Sequence, residues 1–178
     1  MIRSLIAILA LTGAAWAAER PPTGLLARQG PLPATIPLQI AAPEGRDYAV
    51  LLGDPGDPVL AGYLRGGEVL RLLAPPGDHA LSVAAGPPDA WRGLPDLFGD
   101  GARTLPDRIA LRIAGDRREG QALTLSDGDG GLRITDREGR VLCQIAEWTG
   151  EVRTLPTPGG LGLRVIEGEL SVRSRPCD

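Results

Sequence analysis

The sequence predicts an all-β protein with a sandwich architecture, and three observations support this prediction. From Leu38 onward, short apolar runs are broken by Gly, Pro and Asp roughly every 8 to 12 residues, a spacing typical of short strands joined by tight turns. No segment sustains the i, i+3, i+4, i+7 apolar spacing of an amphipathic helix. Aromatic residues make up only 3% of the chain, so the core has to be built mainly from Leu, Ile, Val and Ala.

The first 17 residues are predicted to be a secretory signal peptide. Arg3 supplies the positive start, an apolar stretch follows from Leu5, and Ala15-Trp16-Ala17 is a small-x-small cleavage site. The apolar stretch is shorter than the roughly 18 residues of a membrane-spanning helix, and no second such run follows. We therefore expect cleavage near Ala17, a periplasmic or secreted protein, and no membrane span after signal removal. An uncleaved anchor is the alternative.

Shifts in composition divide the rest of the chain into three predicted parts. Residues 18–37 are rich in Pro and Gly without a sustained period, which is typical of an extended lead-in. Residues 38–135 form the predicted sandwich domain, and residues 136–178 form a β-rich C-terminal extension of hairpins. The predicted strands cover residues 38–41, 47–52, 59–64, 68–73, 79–84, 108–113, 122–125, 132–135, 141–148, 161–166 and 169–174.

Turn residues connect these strands. The Pro-Pro-Gly-Asp segment at 75–78 reverses the chain, and neither proline can sit in a central ladder because it has no amide hydrogen. Residues 136–140 and the Glu-Gly pair at 167–168 are each predicted to be the turn of a β-hairpin.

Charge excludes one class of partner. The chain has 19 basic residues against 22 acidic ones, for a net charge of −3. A mildly acidic chain with scattered arginines has no basic patch for nucleic acid, so we expect no nucleic-acid partner.

Two cysteines, Cys143 and Cys177, are predicted to form a disulfide. An exported chain folds in an oxidising compartment, which favours their pairing. A redox pair or reactive thiol is the alternative, but the C-x-x-C spacing and a nearby histidine are both missing.

Three segments carry a resemblance to known domains. They are YLRGGE at 63–68, PPGDHALSVAAG at 75–86 and WRGLPDLFGDG at 91–101. In this order they resemble an exported bacterial domain, and the second segment is similar to the closing strand of transthyretin-like, carboxypeptidase-regulatory-like and PEGA-like β-sandwiches. Over about residues 38–135, the resemblance implies a transthyretin-like or immunoglobulin-like sandwich that binds or spaces, without implying catalysis.

The only histidine, His79, invites a hydrolase hypothesis. It would act as a base with a serine such as Ser82 or Ser126 and a carboxylate such as Asp78. No G-x-S-x-G elbow surrounds any serine, and the alternation of His79, Leu81 and Val83 is that of one strand face. A structural strand residue is therefore favoured, and no catalytic residue is assigned.

No metal and no cofactor are predicted. One histidine and two distant cysteines cannot supply the ligands of a zinc site. Residues 127–131, DGDGG, present alternate aspartates as a calcium loop does, but Gly131 and Leu132 occupy positions that do not fit the EF-hand pattern. A tight hairpin is favoured there.

The loop 87–107, together with exposed edge strands, is the predicted contact surface. Trp91 and Phe98 stand out in an aromatic-poor chain, and with Arg92 they are the candidate ligand or partner contacts. The alternative is that the loop caps one end of the sandwich with both rings buried.

These observations favour an exported, non-enzymatic interaction or accessory module of the bacterial cell envelope. Its partner would be an envelope protein or a cell-wall glycan. The alternatives are a small periplasmic hydrolase that uses His79 and a glycan-binding module that uses Trp91.

Overall fold

The computed structural model describes residues 19–155 and 163–177, with the side chains of residues 19–150 and 168–177. Over these residues the protein is all-β, as predicted, with ten strands and two single-turn 3₁₀ segments between the sixth and seventh. The strands are β1 (Gly24–Arg28), β2 (Ile36–Ala41), β3 (Asp47–Asp54), β4 (Asp57–Leu64), β5 (Val69–Ala74), β6 (Gly77–Gly86), β7 (Arg103–Ala114), β8 (Arg117–Gly128), β9 (Gly131–Leu155) and β10 (Leu163–Pro176).

The strands form two sheets that β7 connects. The first sheet has the order β1-β4-β3-β6-β7 and is antiparallel throughout. The second has the order β5-β2-β8-β9-β10, and in it β2 and β8 run parallel. β7 belongs to both because residues 103–111 pair with β6 whereas residues 112–114 pair with β8. The two sheets face each other as a sandwich.

The main core lies between the two sheets. Alternate residues of each strand point into it, such as Val50 and Leu52 of β3 and Leu38 and Ile40 of β2, all 0% exposed. Burying one such side chain contributes about 1.5–3 kcal/mol, so an aliphatic core of this kind can stabilise the fold with few aromatic rings.

The lead-in at 18–37 was predicted to be extended, without a place in the sheet, but part of it is a strand of the first sheet. Its residues 24–28 form β1, which pairs antiparallel with β4. The backbone amide of Arg65 donates a hydrogen bond to Thr23 Oγ1 (2.9 Å), which fixes the start of this strand. The sequence missed β1 because an edge strand of five residues is too short to show a period, and its partner edge comes from elsewhere in the fold.

The predictions of a hairpin turn at 136–140 and of another at 167–168 are wrong. Residues 136–140 lie inside the continuous strand β9, where they pair with residues 120–124 of β8. Residues 167–168 lie inside β10, opposite residues 150–151 of β9. Each polar segment is a stretch of strand instead, because a neighbouring strand satisfies its backbone groups.

The predicted turn at 75–78 is confirmed in part. Pro75 and Pro76 lie between the end of β5 and the start of β6, outside both ladders, whereas Gly77 and Asp78 are the first residues of β6 and pair with β7. The predicted tight hairpin at 127–131 is confirmed. Asp129 and Gly130 form the two-residue turn of a hairpin whose last pair is Gly128 and Gly131. Among residues 19–155 and 163–177, no helical segment has the length and apolar composition that crossing a membrane requires.

Candidate interaction surface

The loop between β6 and β7, residues 87–102, folds back onto the outer face of the first sheet, whereas residues 103–107 of the predicted loop belong to β7. Trp91 and Phe98 are only 4% and 3% exposed. The indole of Trp91 packs edge-on against Tyr63 of β4 (ring centroids 4.8 Å apart) and against Phe98 (5.3 Å). Gly86 makes room for this packing, since a Cβ there would collide with the ring of Phe98. These rings form a second, smaller core that the loop closes.

This burial favours the capping alternative for the loop. A buried ring has no free face to stack on a sugar or to insert into a partner, so Trp91 and Phe98 hold the loop in place. Arg92, the third candidate contact, is exposed on the outside of the loop. A role of these three residues in binding stays a prediction, and the outer surface around Arg92 would have to supply the contact.

Beneath the same loop, a buried carboxylate joins the N-terminal segment to the sheet. Asp47 is 0% exposed and accepts hydrogen bonds from Arg20 Nε (2.6 Å) and Nη2 (2.8 Å), from Tyr63 Oη (2.7 Å) and from the amide of Gly66 (3.1 Å). Arg65 in turn donates to the carbonyl of Pro21 (2.8 Å). The segment before β1 is thus bound to the body by a bidentate ion pair.

The ionisation of this group follows from its contacts. Burial alone would raise the pKa of Asp47, but the hydrogen bonds from Arg20, Tyr63 and Gly66 outweigh burial and hold the pKa below its ordinary value of 3.8. Burial, and then the bond to Asp47, raises the pKa of Tyr63. The carboxylate is therefore charged, with every observed contact stabilising that charge, as in a structural anchor.

His79 lies at the start of β6, opposite Ile109 of β7. Its Nε2 is 3.1 Å from the carbonyl oxygen of Pro75, across the Pro-Pro-Gly turn. No hydrogen bond to Ser82, Ser126 or Asp78 occurs in the described part of the chain, so the structure brings no hydrolase triad together around His79. The ring closes a turn instead.

Asp127, the first residue of the segment compared with a calcium loop, is paired with two arginines. The side chain of Asp127 is 1% exposed; its Oδ1 lies 2.5 Å from Arg103 Nη1, and its Oδ2 forms an ion pair with Arg46 Nε at 3.1 Å. Burial, followed by the nearby Asp127 carboxylate, raises the pKa of Tyr48 to about 12. Asp127 is thus neutralised by two guanidinium groups, an arrangement unlike that of a cation ligand.

A shallow apolar cleft of about 280 Å³ lies beside the capping loop. Its floor is the outer face of the first sheet, and Leu97, whose φ is 49°, stands at its rim. Ser82 and Thr104 supply its polar atoms, and none of its lining residues is charged. Such a cleft offers shape and apolar area but few groups that would orient a small molecule.

The other exposed feature is an arm formed by the far ends of β9 and β10. β9 pairs with β8 only as far as Cys143, opposite Arg117, and the rest of β9 pairs with β10 alone. From residue 144 to residue 155 the two strands continue as a two-stranded ribbon, about 35 to 40 Å long at roughly 3.3 Å per residue. This ribbon, residues 144–155 of β9 with 163–174 of β10, is the arm.

A disulfide closes the base of the arm. Cys143 and Cys177 are bonded, with their Cα atoms 5.1 Å apart, so the predicted pairing is confirmed. The amide of Cys177 also donates to the carbonyl of Val141 (3.4 Å). Because the loop between the two cysteines is the arm itself, the bond fixes both of its strands where they leave the body.

One face of the arm is apolar and uncovered. Trp148 lies directly opposite Leu170, and Ala146 opposite Val172. Trp148, Leu170 and Val172 are each 58% exposed, among the most exposed large apolar side chains in the described part of the protein. The indole lies across Gly168, where an added Cβ would collide with it. Together these residues form what we call the apolar face.

The opposite face of the arm is mainly polar. It carries Glu147, Thr149, Glu169, Ser171 and Arg173, and among the described side chains its one apolar residue is Ile145, opposite Arg173 at the base. Arg173 and Glu147 form an exposed ion pair (3.7 Å), which contributes little by itself. The arm is therefore amphipathic, although among the residues that the structure describes no second layer covers its apolar side.

No family model matches this chain, and no curated protein and no solved structure is detectably similar to it.

Sequence reasoning located the disulfide and the strands of the arm but missed the apolar face. Its signal was present, since Ala146 and Trp148 alternate with polar residues, as do Leu170 and Val172. Such alternation also occurs in strands whose apolar side is buried, so exposure could not be deduced. The contact between Arg20 and Asp47, 27 positions apart, left no local pattern at all.

Proposed function

We propose that the protein is a non-catalytic interaction module of the bacterial cell envelope and that the arm is its binding element. The observation that carries this proposal is the apolar face of Trp148, Leu170 and Val172, held away from the core on a disulfide-bonded base. Large exposed apolar side chains grouped on one face mark protein contacts more often than scattered ones do. Tryptophan in particular supplies much of the energy at such contacts.

Compartment and charge support the same proposal. A disulfide between Cys143 and Cys177 is suited to an oxidising compartment such as the periplasm, where the predicted signal peptide, which lies outside the described residues, would direct the chain. The polar face of the arm keeps the ribbon soluble while its apolar face is free to bind. An envelope protein is the expected partner, because aliphatic side chains beside an indole fit another protein surface better than a glycan.

Site-specific photo-crosslinking in the native host tests this function. A photoreactive amino acid replaces Ala146, on the apolar face, and in a matched control it replaces Leu73, which is 51% exposed on β5 in the body. We expect an adduct with a different envelope protein from position 146 and none from position 73. Adding Trp148→Ala to the position 146 variant should remove that adduct.

Four outcomes would contradict the proposal. Equal adducts from both positions, or an adduct that persists without Trp148, would show that the apolar face is not the binding element. A hydrolytic activity lost in a folded His79→Gln variant would favour the hydrolase alternative instead. Sedimentation of the protein with purified cell wall, abolished by Trp148→Ala, would replace the protein partner with a glycan.

A further inference from the structure

We propose that the protein forms a two-fold symmetric dimer in which β10 of one chain pairs antiparallel with β10 of a second copy, centred on Ser171. The pairing would convert two ribbons into one four-stranded sheet and place two apolar faces side by side. This inference rests on the proposed function of the arm, because it describes how the arm presents that face.

The backbone of β10 has a free edge that can form this pairing. In the described part of the chain, β10 pairs with β9 alone. The amide of Gln144 donates to Asp116 (2.8 Å), away from β10, so Gln144 and Ser174 form a non-hydrogen-bonded pair of the ladder. By alternation, the backbone groups of Gly168, Leu170, Val172 and Ser174 point away from β9 and are available to another strand.

A two-stranded ribbon also lacks what usually stabilises a sheet. An isolated pair of strands is marginal in water, and three or more strands or a packed second layer are normally needed. The disulfide holds the arm only at its base. A second ribbon beside β10 would satisfy the open backbone groups of residues 168–174, on the side of β10 that faces away from β9.

Charges along β10 identify the second copy as the occupant. When two copies of one strand pair antiparallel about a two-fold axis, a residue n positions before the central residue lies opposite the residue n positions after it in the other copy. Centred on Ser171, the pairing puts Glu169 opposite Arg173 of the second copy, and the reverse, so both contacts join opposite charges. In the sequence, Glu167 and Arg175 are also equidistant from Ser171.

The same register agrees with the two other patterns of the arm. It pairs Leu170 with Val172 of the second copy and Gly168 with Ser174, all residues whose backbone groups point to the free edge. A centre at residue 170 places only Glu167 opposite an arginine, Arg173, and a centre at residue 172 places only Glu169 opposite an arginine, Arg175. The centre at Ser171 places both glutamates opposite arginines. Backbone direction and apolar side chains are compatible with this register, and the number of complementary charge pairs selects it over its two neighbours.

The experiment uses two single variants of the purified, signal-cleaved protein. Glu169→Arg places arginine opposite Arg173 of the second copy, and Arg173→Glu places glutamate opposite Glu169. We expect each variant alone to lose at least about tenfold in dimer association, because like charges directly opposite each other repel. An equimolar mixture of the two should form heterodimers, since every contact across the edge is then complementary.

Analytical ultracentrifugation over a dilution series measures the assemblies, and native mass spectrometry resolves the heterodimer by mass. Rescue in the mixture separates the interface from misfolding, because a misfolded variant would not be restored by the other. A monomeric wild-type chain, or variants that do not recombine, would overturn the dimer. If the wild-type chain is monomeric but position 146 still gives a Trp148-dependent adduct, the proposed function stands and only the dimer is wrong. If the protein is a dimer but its arm gives no such adduct, the dimer stands and the proposed function is wrong.

Discussion

The body and the arm of this protein are built from the same kind of strand but differ in what covers their apolar sides. In the body, the two apolar cores lie between the sheets and beneath the capping loop, and a core side chain such as Leu81 is 1% exposed. In the arm, Leu170 occupies the same kind of alternating position and is 58% exposed. Alternation therefore establishes which side of a strand is apolar, while burial depends on what the rest of the fold places against it.

The body and the arm also differ in the contacts that stabilise them. The body is stabilised by core packing and by the buried anchor of Arg20 on Asp47, which are contacts distant in sequence. The arm is stabilised by local cross-strand pairs and one disulfide at its base. We therefore expect substitutions in the body to change global stability, and substitutions in the arm to change local opening and binding.

The largest expected effect is that of Leu81→Ala in the body. Removing a side chain that is 1% exposed leaves a cavity between the sheets and should lower the free energy of unfolding by about 2–5 kcal/mol. Urea unfolding followed by far-ultraviolet circular dichroism measures it. A loss below about 1 kcal/mol would mean that the body is not packed as described.

Removing the disulfide should affect the arm and spare the body. Converting both Cys143 and Cys177 to Ser opens a loop of 34 residues, for which the chain-entropy model gives about 3 to 4 kcal/mol. Because that loop contains only the arm and its base, the loss should appear as faster hydrogen exchange in residues 142–150 and 168–177, with β3 and β6 unchanged. Faster exchange throughout the body as well would instead show that the arm unfolds cooperatively with the body.

Replacing Asp47 by Asn should destabilise the body by about 1–3 kcal/mol at neutral pH, since the charged hydrogen bonds to Arg20 and Tyr63 are lost. The pKa of Asp47 is lowered in the folded state, so its contribution is present above its ordinary value of 3.8 and is lost as the pH falls through the folded-state pKa. Unfolding midpoints measured against pH should thus converge for variant and wild type in acid. Asp54→Asn, at an exposed turn, is the matched control and should change little.

The smallest expected effect is that of Leu170→Ala in the arm, the counterpart of Leu81→Ala. A side chain that is 58% exposed loses little burial, so the unfolding free energy should change by less than about 0.5 kcal/mol. The same urea titration measures it. A loss comparable to that of Leu81→Ala would show that a second layer covers the apolar face in solution, which is the one result that would remove the contrast between the two regions.

The sequence by itself determined the strand content, the Pro-Pro turn before β6, the pairing of Cys143 with Cys177 and the aliphatic character of the core. These features are local or compositional: proline lacks an amide hydrogen, alternation has a period of two, and only two cysteines are present. The resemblance to transthyretin-like sandwiches and the signal peptide stay predictions.

Only the tertiary structure decided which polar segments are turns and which apolar faces are buried. Residues 136–140 have the composition of a turn, but they pair with β8. The sequence around each tryptophan likewise does not show that Trp91 is enclosed and Trp148 exposed. The physical reason is the same in each case. Backbone pairing and side-chain burial depend on partners supplied by distant parts of the chain, and no local pattern encodes where those partners lie.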